Sequence, residues 1–79
     1  MKRQTKQDIK KRFGSAIKKR RLELRISQEE LAARAQLHRT YIGDIERGGI
    51  NLSLENIEKV ANGLGLEVST LFSKYGIEE

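Results

Sequence analysis

In the stretch LHRTYIGDIERGG, Leu37 to Gly49, an imidazole, a guanidinium, a hydroxyl and a phenol stand on four consecutive residues, His38, Arg39, Thr40 and Tyr41. Their shared chemistry is hydrogen bonding: the guanidinium offers a rigid fork of donors, both hydroxyls donate and accept, and imidazole does either according to its tautomer. Leu37, Ile42 and Ile45 fall on one helical stripe, which leaves Arg39, Thr40, Gly43 and Asp44 facing outward. One face of a short helix is reserved for the protein and the other for something outside it.

Covalent chemistry finds little support elsewhere in the chain. His38 is the single His and Cys is absent, which removes a disulfide framework, a thiolate zinc site, a histidine metal cluster and a chain of His relays. Neither G-x-S-x-G nor a Walker loop is present, and GLGLE has too few glycines and no following Lys-Ser/Thr. The chain is therefore not expected to be an enzyme, nor to need a cofactor, a metal or a small-molecule ligand.

The charge distribution is more informative. Of a net charge of +5, residues 1–25 carry eleven Lys or Arg against Asp8 and Glu23, a balance of +9, and the rest of the chain stands at −4. An asymmetric basic segment points to an anionic partner, either nucleic acid or an acidic membrane surface, although its extreme end Met1 to Gln4 could equally be a solvated tail. The membrane alternative is weakened because the apolar stripe of this segment lacks Trp and is needed for a core. No apolar run approaches the ~18 residues of a membrane span, and MKRQTKQDIKKRFG has charge without a signal peptide's apolar region. The expected location is cytoplasmic.

The 79 residues make one small domain that buries only about 60% of its unfolded surface. Residues 1–5 read as a basic tail and 6–79 as the domain. With no Pro and no alternating β-branched run, the pattern predicts an all-α chain. A first helix opens with Thr5 as N-cap and Asp8 three residues on, carries Ile9, Phe13, Ala16, Ile17 and Leu24 on one stripe, and ends near Arg25. Ser27 caps a second helix with Leu31, Ala32 and Ala35 inward. A third runs from about Arg39 to Glu46 and stops at Gly48-Gly49, a fourth follows Ser53 with Leu54, Ile57, Val60 and Ala61 inward as far as Gly63, and a fifth covers about Glu67 to Lys74, closed by Gly76. Only Gln36, Leu37 and His38 join the second and third helices, which is the reach of a helix-turn-helix. Ala32 and Gly43 supply small side chains where these two helices cross.

Three segments, FGSAIKKRRLELRISQEELA, LHRTYIGDIERG and LSLENIEKVANGLGLEVSTLF, together resemble the XRE-type helix-turn-helix regulators, which include phage repressors and Cro proteins. The likeness runs from Phe13 to Phe72 and implies a five-helix bundle of the lambda-repressor-like type. Within the family, RTYIGDIERG looks most like the small controller proteins of restriction-modification systems, single-domain regulators that act on their own operon. A phage-type repressor, or an antitoxin whose main partner is a protein, is the alternative. Three positions depart from the family pattern: Arg25 and Gln36 stand where Gly is common, each a candidate for positive φ, and Arg20 stands where Leu is usual, so that Leu24 could fill that part of the core.

The resemblance implies binding to double-stranded DNA, and the residue types suit it. With the N-terminus of the third helix in the major groove, Arg39 is the candidate for a bidentate bond to guanine, Thr40 for a hydrogen bond or a thymine methyl contact, and Tyr41 for a thymine methyl or a phosphate, unless its ring packs between helices. Asp44 either accepts from cytosine or, as the preferred reading, holds Thr40 or Arg47. Gln28 matches the family's phosphate-contacting Gln, and His38, Arg47, Asn51 and Ser53 are further backbone candidates. Arg21 and Glu46 match family positions that bond each other, the alternative being two separate surface charges. The resemblance also implies a homodimer on a partly palindromic operator, because one short helix reads too few base pairs and family dimers place two such helices about 34 Å apart. Leu66, Val68, Leu71, Phe72, Tyr75 and Ile77 exceed what one short helix can turn inward. Leu71 is assigned to the core and Phe72, Tyr75 and Ile77 to the interface, the alternative being that all six cap the monomer core.

Overall fold

Four side-chain caps set where the helices begin. In a computed structural model that describes residues 8–75 and 77, the Asp8 carboxylate accepts from the Lys10 N–H at 2.8 Å, Ser27 Oγ from Glu30 at 3.0 Å, His38 Nδ1 from Thr40 at 3.1 Å and Ser53 Oγ from Asn56 at 3.1 Å. Each satisfies an N–H that the first turn of a helix leaves without a partner. The helices are α1 (Ile9–Glu23), α2 (Gln28–Ala35), α3 (Arg39–Arg47), α4 (Leu54–Gly63) and α5 (Val68–Lys74). There is no strand among the described residues. At the start of α1 the expectation is corrected: Asp8 is the cap itself rather than the third residue behind one, because its short carboxylate reaches the N–H two positions on. Thr5, Gly76 and the basic tail lie outside the described residues.

Each helix contributes to one core. Phe13, Ala16 and Ile17 of α1 meet Leu31, Ala32 and Ala35 of α2, Ile42 and Ile45 of α3, Val60 and Ala61 of α4, with Leu64, Leu71 of α5 and Ile77 closing it. Two residues expected inside are outside: Ile9 is 48% and Leu54 84% exposed. Both are the first residue of their helix, where the chain has not yet reached the layer beneath it. Leu24 packs beside the core, and the neighbouring Arg20 sends its Nε to the Leu64 carbonyl at 3.1 Å.

The tight turns are made without glycine at two points. Arg25, after α1, and Gln36, after α2, both hold φ of +60°. This left-handed conformation costs a non-glycine residue about 1–2 kcal/mol, and it brings the Leu37 N–H back to the Ala32 carbonyl at 2.9 Å. That bond turns the chain sharply enough for α3 to cross α2 after three residues.

The closest helix approach lies elsewhere than expected. A Cβ built on Gly14 would stand 2.2 Å from the Ile45 carbonyl oxygen and 2.8 Å from that of Glu46, so α1 lies directly on the backbone of α3. Gly43, expected both on the outward face and at the crossing with α2, is buried beside Gln28 of α2 and Arg47, yet a Cβ there would meet nothing nearer than 3.5 Å. Gly14 thus has no room for a side chain, and it seats the last turn of α3 against α1.

Candidate nucleic-acid interface

With α3 fixed by α1 beneath and α2 across it, its first turn is left outward. His38, Arg39 and Thr40 are exposed. Among the described residues, the Arg39 guanidinium and the Thr40 hydroxyl take no partner from the rest of the chain. His38 caps the helix through Nδ1, which requires the proton on Nε2 and leaves an outward N–H donor. Tyr41 is half-buried: its ring packs on the core and its hydroxyl accepts from Asn56 Nδ2 at 3.0 Å.

A buried network lies behind this face. Arg21 donates from Nε to Glu46 Oε2 at 2.6 Å, from Nη2 to Glu46 Oε1 at 3.0 Å and from Nη1 to the Ile26 carbonyl at 2.9 Å. The side chains are 10% and 4% exposed, so the two residues form one buried ion pair rather than two surface charges. The hydrogen bond to Glu46 holds the Arg21 guanidinium above its already high ordinary pKa. Gln28 joins the network, donating to Glu46 Oε1 at 3.0 Å. One N–H of its amide is used in this way and the second remains for an external acceptor.

Around the rim, the exposed Arg47 pairs with Asp44 one turn back on α3, the intramolecular role preferred for Asp44. Asn51 is exposed in the α3–α4 loop, and the exposed Ser53 uses its Oγ as the cap of α4. The structure therefore brings His38, Arg39 and Thr40 together at the outward end of α3 and places Gln28 farther along that helix, beside Gly43 and Glu46. It leaves Asn51 and Ser53 at the start of α4. Gln28 to Glu46 and Asn56 to Tyr41 are links that sequence reasoning missed, since neither spacing nor residue type marks which side chains of different helices will touch.

At the C-terminal end Ile77 is fully covered within the chain, which corrects its assignment to an interface: it closes the core behind Leu71. Phe72 and Tyr75 are half-buried. The Phe72 ring lies 5.8 Å from that of Phe13, and the Tyr75 hydroxyl donates to Glu23 at 2.6 Å. That bond lowers the Glu23 pKa and raises that of Tyr75.

No group of His, Asp or Glu gathers to hold a metal among the described residues, and no helix there is long and apolar enough to cross a membrane. Residues 17–71 match the family model described as helix-turn-helix. The control protein C.MunI of Mycoplasma sp is 52% identical over 67 residues, covering 84% of this chain and 90% of that protein. The restriction-modification controller C.AhdI of Aeromonas hydrophila superposes with a TM-score of 0.77 at 41% identity, over 80% of this chain and 96% of the other. The controller C.Esp1396I, solved as a tetramer with its natural 35 base-pair operator, gives a TM-score of 0.84 at 33% identity, over 94% and 100%. The chain belongs to the XRE-type helix-turn-helix family, and within it is similar to the restriction-modification controller proteins.

Proposed function

We propose that this chain is a cytoplasmic, sequence-specific transcription regulator that binds a partly palindromic operator as a homodimer and controls its own restriction-modification operon. It acts by binding, with no catalytic step. The observation that carries this reading is the outward first turn of α3: Arg39 and Thr40 are exposed and unused, on a helix held by a buried ion pair and a glycine contact behind it.

With α3 in the major groove, the Arg39 fork meets O6 and N7 of a guanine, and Thr40 meets a neighbouring base edge. The second Gln28 N–H and the His38 Nε2–H donate to phosphates, and the amides around Asn51 and Ser53 at the α4 N-terminus offer a further phosphate seat. Arg47 joins them through the guanidinium N–H groups that its bond to Asp44 leaves over. The likeness to a controller solved as a tetramer on operator DNA supports two-fold binding. Phe72 and Tyr75 are the proposed contacts between protomers. Residues 6–79 form the DNA-binding domain.

A duplex selected from a random library by the wild-type chain, compared with a scrambled duplex, tests the reading. Arg39→Ala is expected to cost about 1–3 kcal/mol on the selected duplex alone. Gln28→Ala is expected to weaken both duplexes alike, and equal losses on both for Arg39→Ala would make Arg39 a phosphate contact.

A further inference from the structure

Tyr41 and Asn56 stand fifteen positions apart in the chain, on α3 and α4, and meet side chain to side chain at 3.0 Å. Asn56 is itself held, because its backbone N–H is the one that Ser53 caps. The tyrosine ring is wedged against the core, so only its hydroxyl end has freedom left. A phenol oxygen has one hydrogen to give and lone pairs to receive with. With Asn56 Nδ2 donating into a lone pair, the phenol hydrogen is turned away from α4.

We propose that Asn56 is a positioning residue for DNA recognition: it fixes the Tyr41 hydroxyl as a hydrogen-bond donor toward a phosphate or base acceptor, without touching DNA itself. The inference rests on the reading of the α3 face as the DNA-binding surface. It adds that part of the recognition surface is set from α4, through a residue outside the helix-turn-helix. The same α4 N-terminus that offers its amides to the backbone thereby also orients a side chain of the recognition helix.

A double-mutant cycle on the selected and scrambled duplexes tests this. Tyr41→Phe and Asn56→Ala are each expected to lose about five- to ten-fold on the selected duplex, with melting curves in the absence of DNA close to wild type. In the Tyr41→Phe background, Asn56→Ala is expected to have almost no further effect, since the group it orients is gone. Should Asn56→Ala perturb folding, Asn56→Asp repeats the cycle. Its carboxylate keeps the shape but draws the phenol hydrogen inward, so its loss is expected to be larger with Tyr41 present than in the Tyr41→Phe background. Additive losses, or an Asn56→Ala variant that binds as wild type, overturn the proposal. So does a Tyr41→Phe variant with full affinity, and if Arg39→Ala still loses selective binding in that case, the function stands while the positioning role falls. If no duplex is enriched at all, both fall together.

Discussion

Replacing Glu46 by Gln changes one atom and removes one charge, and the structure sets what that does to the fold. The Glu46 carboxylate receives two hydrogen bonds from Arg21 and one from Gln28 within a site where the two ionic side chains are 10% and 4% exposed. In the Gln variant the amide NH2 must replace one oxygen. At the Oε2 position it faces the Arg21 Nε–H, donor against donor, while at Oε1 it faces two donors. Even the better orientation leaves the guanidinium buried with no opposing charge and a lost bond. Removing one partner of a buried pair costs about 3–5 kcal/mol, and at ~4–8 °C per kcal/mol for a domain of this size the melting temperature is expected to fall by roughly 12–40 °C. A domain with a total stability of about 5–15 kcal/mol has little margin for this loss. Thermal melts without DNA measure it. Arg21→Met combined with Glu46→Leu is expected to recover most of the loss, because then neither charge is left alone. A Gln variant that melts within a few degrees of wild type would show that solvent reaches the pair and that its charges are not buried.

Three further outcomes follow from the packing and the turns. Gly14→Ala places its methyl 2.2 Å from the Ile45 carbonyl, so α1 must move off α3, with an expected loss of at least 1–3 kcal/mol by approximate overpacking values; a denaturant midpoint equal to wild type contradicts the close crossing. Arg25→Gly and Gln36→Gly, both at φ of +60°, are each expected to raise stability by roughly 0.5–1 kcal/mol as relief of the left-handed conformation outweighs the added chain entropy; a loss at either position would mean that its side chain supports the fold. The Glu23 carboxylate lies below its ordinary range because Tyr75 donates to it, and the Tyr75 phenol lies above its own. The bond's contribution is therefore present at neutral pH, lost as pH falls through the lowered Glu23 value, and lost again as pH rises through the raised Tyr75 value. In a Tyr41→Phe background, near-ultraviolet titration of the remaining phenol is expected to show a lower midpoint after Glu23→Gln, and an unchanged midpoint contradicts the bond.

What could be read from the sequence was what local chemistry determines. Ser27 and Ser53 announce helix starts because a cap acts on a backbone only three residues away, whereas the capping role of His38 emerges only from the structure. The inward residues of α2 and α3 follow from periodicity, whereas the positive φ of Arg25 and Gln36 was signalled by the family pattern, in which Gly is common at both positions. The Arg21–Glu46 pair was legible through family resemblance alone, since residues 25 positions apart carry no local signal of contact. Gly14 was missed because a glycine inside an amphipathic helix looks like any small residue until the neighbouring backbone is in place. Leu54 and Ile77 were misassigned for a related reason. Periodicity states which side of a helix a residue occupies, but not whether the layer beneath extends that far or whether a residue after the last helix folds back onto the core.

The central claim is that the outward end of α3 reads a specific sequence in two copies. Selection of duplexes from a random library by the wild-type chain tests it most directly, since no operator need be assumed. Enrichment is expected of an inverted repeat whose half-sites lie about one helical turn, ~34 Å, apart, bound by two protomers and no longer enriched by the Arg39→Ala variant. Enrichment of a single unpaired half-site, or an identical enriched sequence with Arg39→Ala, would contradict it.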